Sequence, residues 1–303
     1  MTPVSLKWLR IALVNLSIVA LLGVILRYKI AFYLPFIDQK HLLHGHSNFA
    51  FSGWISQALM ILMVSFLNKR GIENAFKKYT WLLVGNLVCA YGMLIAFPIQ
   101  GYGLFSISFS ILSILISYLF ALVFWRDLNK INKKFASRYW FKAALMFNVI
   151  SSIGTFALSY MMATRSLEQN WYLSAVYFFL HFQYNGWFLF AIGGLLIDKL
   201  YALKIISDLN KTIFYIFLIS CFPTYFLSIP WIQIPTWAFV IVVAAAVAQI
   251  VGWFWLIRVI SNHHIRFDSE ISHVAKILIR LAAIAFTIKI ILRIIIITLK
   301  LII

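Results

Sequence analysis

Acidic residues are scarce: eight Asp and Glu stand against 26 Lys and Arg in 303 residues. The long apolar stretches before residue 260 hold almost no ionisable side chain. That scarcity argues against a carboxylate relay of the kind proton pumps and ion-coupled transporters use at membrane depth. Cysteine is rarer still. Cys89 and Cys221 both sit inside apolar runs, which excludes a disulfide framework and reads as two small buried hydrophobes. No polar stretch is long enough for a soluble domain, and no linker or repeat stands out. The chain therefore reads as one domain over 1–303.

Apolar residues fill the space left. They make up 63% of the chain, charged residues only 11%, and the mean hydropathy is +0.94. Apolar runs of about 20 residues recur, each long enough to cross a bilayer as a helix. The predicted spans are 8–27, 42–67, 80–99, 103–125, 140–163, 171–197, 212–230 and 236–260. A ninth segment lies at 277–300. The expected fold is all-α, a polytopic transmembrane bundle of eight or nine helices. Lys7 and Arg10 precede the first run, which has no small-residue cleavage site, so it reads as a retained helix.

The net charge of +18 would suit nucleic acid if it formed a patch. Instead it collects in alternate loops. Lys69, Arg70, Lys77 and Lys78 mark one; Arg126, Lys130, Lys133, Lys134 and Arg138 another; Lys199, Lys204 and Lys211 a third. The loops between are nearly bare, with Arg165 the lone cation at 164–170. Arg27, Lys29 and Lys40 in the first outer loop run against the pattern. Topogenic charge of this kind puts the N-terminus in the cytoplasm and makes the bilayer, not nucleic acid, the partner. The expected location is the cell (inner) membrane.

The ninth segment carries Lys289 and Arg293 at its middle and Lys300 near its end, on one helical face. Each central cation costs about 2.5–3.5 kcal/mol on insertion scales. Two readings stay open, a spanning helix that needs partners and an amphipathic helix at the interface. The apolar run still continues at Leu301-Ile302-Ile303, where a truncated product is one expectation.

Histidine is then the main ionisable chemistry at depth. His263, His264 and His273 lie in a charged loop with Arg266, Asp268 and Glu270 and read as surface. His41, His44 and His46 open the second span at its outer end. His181 falls ten residues into the sixth span, about 15 Å down at 1.5 Å per residue. His44 and His46 diverge by about 160° around the helix, so one cofactor cannot readily take both. Below His46 lie Ala50 and Gly53, then Gln57, and small residues there leave room for a flat macrocycle. His46 is the preferred ligand, with His44 second. The alternatives are interfacial histidines for the first cluster and a hydrogen-bonded group of His181, Gln183, Tyr184 and Asn185 for the second. Ser106, Ser110, Ser113 and Ser117 form a stripe, as do Asn148, Ser151, Ser152 and Thr155. Both read as helix packing, with a polar path, or contacts to a propionate or quinone carbonyl, as the other option.

Two stretches carry a resemblance. "HGHSNFAF" resembles the low-spin haem ligand helix of heme-copper oxidase subunit I, and "VYFFLHFQY" resembles that family's later His-Phe-His helix. The resemblance implies haem ligation by His46 (or His44) and by His181. Gln183 stands where the family has its second histidine. The third to fifth spans have no histidine, so no copper is expected. The implied function is haem-binding electron transfer, fed by a quinol or cytochrome-type donor and working with other membrane subunits. Enzymatic activity as part of an oxidoreductase stays open. The alternative is a transporter or assembly factor that handles a metal, haem or small lipophile without redox turnover.

Overall fold

The computed structural model describes residues 2–131, 135–164, 168–206, 211–263 and 271–302. Lys133, Lys134, Arg165, His264, Arg266, Asp268, Glu270, Ile303 and the side chain of Lys300 lie outside what is described. Every regular element among the described residues is helical. Where the sequence suggested one domain, the chain divides into two compact units, Met1–Lys134 and Phe135–Ile303.

The first unit starts with α1 (Pro3–Ala31), capped by the Thr2 hydroxyl, which accepts from the Ser5 N–H at 3.2 Å. Asp38 caps α2 (Gln39–Phe49) by accepting from the His41 N–H at 2.8 Å. That N–H holds the Asp38 carboxyl below its ordinary range. A π turn, π1 (Ala50–Ser56), then carries the same helix on into α3 (Gln57–Lys69). After it come α4 (Ala75–Gln100) and α5 (Leu104–Lys130). Gly101 makes the hairpin between them at φ +60°, where a Cβ would also strike the His41 ring.

A π turn breaks the regular helical ladder, and the carbonyls it frees must find partners away from water. Asn86 on α4 donates to the Ser52 carbonyl at 2.9 Å, and Asn15 on α1 donates to the Gly53 carbonyl at 2.6 Å. Asn86 also donates to Gln57 Oε1 at 2.8 Å, and Tyr91 donates to Asn15 Oδ1 at 2.6 Å. All three amide side chains are buried. Asn86→Leu removes the Ser52 partner, so it should cost about 1–3 kcal/mol. A lowered thermal midpoint of the detergent-purified protein would report it; an unchanged midpoint would contradict the arrangement.

The second unit runs α6 (Ser137–Ala163), α7 (Gln169–His181), π2 (Phe182–Phe188), α8 (Leu189–Ala202) and α9 (Lys211–Cys221). A 3₁₀ turn (Pro223–Leu227), α10 (Thr236–Asn262) and α11 (His273–Ile302) complete it. Among the described residues, six helical stretches are long and apolar enough to cross a membrane: Pro3–Ala31, Gln39–Lys69, Ala75–Gln100, Leu104–Lys130, Ser137–Met162 and Thr236–Asn262. The chain is thus a polytopic helical membrane protein. The predicted 171–197 span lies in one helical stretch, but His181, Gln183 and Asn185 dilute its apolar character. The predicted 212–230 span is not one helix. Pro223 has no N–H to continue α9, and the chain tightens into the 3₁₀ turn.

The two units share one plan. Each has a long helix, a helix with a central π turn, a third helix, a tight turn and a fourth helix. The sequence keeps the register at a spacing of 132 residues: Ser5 and Ser137, Trp8 and Trp140, Ala12 and Ala144, Cys89 and Cys221, Pro98 and Pro230, Arg126 and Arg258. At 133 come Asn15 and Asn148, and the pair Gly53-Trp54 matched by Gly186-Trp187. Ser5, Ala12 and Cys89 are buried, and so are their counterparts. Random coincidence does not place the only two cysteines in register. The chain is a tandem repeat of a four-helix unit, to which α11 is an addition.

Candidate functional site

The π turns concentrate the polar side chains, and in the second unit they form a buried cluster around His181 and Asn185. His181, 3% exposed, has both ring nitrogens engaged. Nε2 lies 2.8 Å from the Cys221 carbonyl, which only accepts, so Nε2 carries the proton. Nδ1 is then an acceptor, 3.2 Å from Asn185 Nδ2 and 3.2 Å from the Ser228 hydroxyl. This assignment makes the imidazole neutral and fully satisfied.

Asn185 faces the other way with its oxygen. Its Oδ1 accepts from Lys289 Nζ at 2.8 Å and from Arg293 Nη2 at 2.9 Å. The second guanidinium arm of Arg293 donates to Gln249 Oε1 on α10. Gln249 Nε2 lies 3.5 Å from the Thr224 hydroxyl. The Lys289 ammonium also lies 5.7 Å from the centre of the Phe286 ring. α11 is held on α10 by Trp253, which donates to Thr287 at 2.9 Å, and by packing of Ile297 on Leu227, Val242 and Ala246. The cations of the ninth segment thus turn inward onto neutral amides.

Next to this cluster, Gln183 donates to Ser151 at 2.8 Å and to Asn148 Oδ1 at 3.3 Å. Gln183 Oε1 and Asn148 Nδ2 are buried without partners. Asn148 meets π2 through its oxygen, which accepts from the Gln183 side chain, whereas Asn15 donates to a π1 backbone carbonyl. Ser151 and Ser152 return their hydroxyls to the α6 backbone at 2.7 and 2.6 Å. The serine stripe of α5 behaves alike. Ser106 clasps the Gly101 and Gly103 carbonyls, while Ser110 and Ser117 bond carbonyls of their own helix.

The outer histidines belong to the first unit. His44 is half-buried, with Nδ1 at 3.3 Å from the Tyr102 hydroxyl and Nε2 buried without a partner. His46 is half-buried too, its Nδ1 buried without a partner and its ring against Gly23 of α1. His263 and His273 are exposed. Among the described residues no group of three His, Cys, Asp or Glu side chains could hold a metal ion.

These residues do not fit a haem as arranged. The expected groove below His46 is filled: a Cβ on Gly53 would lie 2.7 Å from the Phe49 ring and 3.2 Å from Ala90. Ala50 packs against the buried core of Val19, Phe49 and Ala90. The small residues serve close packing of α1, π1 and α4. His181 has no free nitrogen, and Gln183 is turned to α6. His46 and His181 lie in different units, and each is placed by its own unit's contacts.

The sequence pointed to Asn185 as a hydrogen-bonding neighbour of His181, which it is, but did not single out Asn15, Asn86, Ser228 and Gln249. An amide inside an apolar run was the available signal. No family model, curated protein or solved structure matches the chain.

Proposed function

We propose that the protein is a membrane carrier, a transporter or assembly factor that handles a metal, haem or small lipophile without redox turnover. The observation that carries this reading is the matched pair of π turns, Ala50–Ser56 and Phe182–Phe188, in corresponding helices of two repeats. Interrupted helices at corresponding positions mark the substrate region of repeat-built transporters, and π turns gather at functional sites. The proposal includes eight or nine spans, a cytoplasmic N-terminus and residence in the cell (inner) membrane. Alternating loop charge supports that orientation. The internal partners of Lys289 and Arg293 support α11 as a ninth span.

The test is purification from a haem-replete host, followed by reconstitution. The carrier reading predicts no Soret band that depends on His46 and His181 in the purified protein. It also predicts that proteoliposomes take up a divalent metal, free haem or a quinone-like lipophile, and that deleting one residue from each π turn abolishes the uptake. Sealed proteoliposomes that exclude all three cargoes would sink it.

One observation favours a second reading, a haem-binding electron-transfer protein served by a quinol or cytochrome-type donor and other membrane subunits. His46 Nδ1 and His44 Nε2 are buried and unpaired. Ligation at His181 would require breaking its bond to the Cys221 carbonyl. A Soret band that disappears in the His46→Ala, His181→Ala double variant would establish this reading over the first.

A further inference from the structure

Lys289 and Arg293 present an imbalance that the rest of the molecule avoids. Asp127, the buried carboxylate of the first unit, receives Lys78 and Lys130. Lys289 and Arg293 have no such partner. The charged or titratable groups that reach them are each other, the Cys221 thiol and the His181 imidazole; no carboxylate does so among the described residues. Four neighbours face the pair. Asn185 and Gln249 supply amide oxygens, Phe286 a ring face, and His181 a neutral imidazole already spoken for by Cys221 and Ser228.

Neutral amides orient cations but cannot cancel their charge. Two like charges one helical turn apart, both half-buried in an apolar bundle, raise each other's cost. Their donors are also underused. Lys289 spends one of its three N–H groups and Arg293 two of its five. The two side chains come from adjacent turns of one helix and meet at Asn185 Oδ1, which keeps their remaining donors close together. Arg recognises an oxyanion through two parallel N–H bonds, while Lys adds a point charge. Asn185 and Gln249 fix the direction of both side chains beforehand, which lowers the ordering cost of binding.

We propose that Lys289 and Arg293, aimed by Asn185 and Gln249, form a binding site for an oxyanion, a group with at least two free anionic oxygens. It arrives either as a free small anion or as the head of an amphiphile. The site stands whether or not the protein is a carrier. Binding without uptake would count against the carrier reading and leave the site intact.

The experiment uses the full chain in an uncharged detergent and follows its thermal midpoint. The titrants are inorganic phosphate and oleate, with sodium chloride at matched ionic strength as the blank. The expected result is a saturable rise with at least one titrant beyond the blank. A response to phosphate alone assigns a free oxyanion, and a response to oleate alone assigns an amphiphile head. In Lys289→Gln and Arg293→Gln the half-saturating concentration rises at least tenfold. These variants remove unneutralised charge, so they should fold. Arg293→Lys, which keeps the charge and loses the fork, should bind several-fold more weakly than the parent. Absence of any saturable rise overturns the site, as does a rise that survives in the double glutamine variant. So does a membrane subunit that co-purifies with the parent and is lost from the glutamine variants, since its carboxylate would then be what the cations meet.

Discussion

Asn185→Leu should lower the thermal midpoint sharply, while Asn185→Asp should raise it. The leucine takes away the one oxygen that holds both Lys289 and Arg293, at 2.8 and 2.9 Å. It also removes a donor from His181, which keeps Ser228. Stranding a buried charge costs about 3–5 kcal/mol, and both cations here are half-buried, so the lower end applies. Against a total stability of about 5–15 kcal/mol, that leaves the native state populated but takes away a large share of its margin. Aspartate instead puts a carboxylate between two cations and turns two bonds from charged donors to a neutral amide oxygen into ion pairs. Heat-induced aggregation of the detergent-purified variants, read beside the parent, decides the matter. Equal midpoints for the leucine and aspartate variants would show that the cations do not rely on Asn185.

Asp127→Ala should be a damaging change in the first unit, at about 1–3 kcal/mol. The Asp127 side chain is 1% exposed and accepts from Lys78 at 2.7 and 2.6 Å and from the Tyr79 hydroxyl at 3.0 Å. Lys130 approaches to 3.1 Å. The two lysines are 43% and 65% exposed on their side chains, so water takes over their solvation when the carboxylate is gone. Their share of the loss is therefore small. Tyr79 is fully buried and keeps an unpaired hydroxyl, which supplies most of the cost. Adding Tyr79→Phe should then restore much of the lost midpoint. If the double variant is no better than Asp127→Ala alone, the damage lies in the lysines after all.

How legible was this in the sequence? Long helices such as 3–31 and 104–130 were plain, because hydropathy is a property of composition and survives without tertiary detail. Helix ends moved by a few residues, where capping by Thr2 and Asp38 decides. The 212–230 span was misjudged although Pro223 was in view; the apolar run outweighed the missing N–H. The π turns left no signal of their own. In π1, Asn15 and Asn86, far away in sequence, satisfy the carbonyls that the turn frees. The repeat escaped notice because apolar side chains exchange freely on lipid-facing and core positions alike. Only where shape or hydrogen bonding is demanding do residues such as Trp8, Cys89 and Pro98 keep their counterparts. The candidate site was half visible. Lys289 and Arg293 announced themselves as charges without acids, but Asn185 lies 104 and 108 residues before them, and only folding joins the three.

α11 stands outside the repeated plan, and it comes after every residue that receives its cations. During synthesis Asn185 and Gln249 enter the bilayer earlier, so the acceptors are already in place when Lys289 and Arg293 leave the ribosome. A translocon would meet a helix with charged residues at its centre and retain it poorly alone. Beside a finished second unit, the same helix gains three hydrogen bonds for its cations and a fourth from Trp253 to Thr287 on entry. Insertion of α11 should therefore report on the assembly of what precedes it, and a defect at Asn185 would surface as the last helix left outside the membrane.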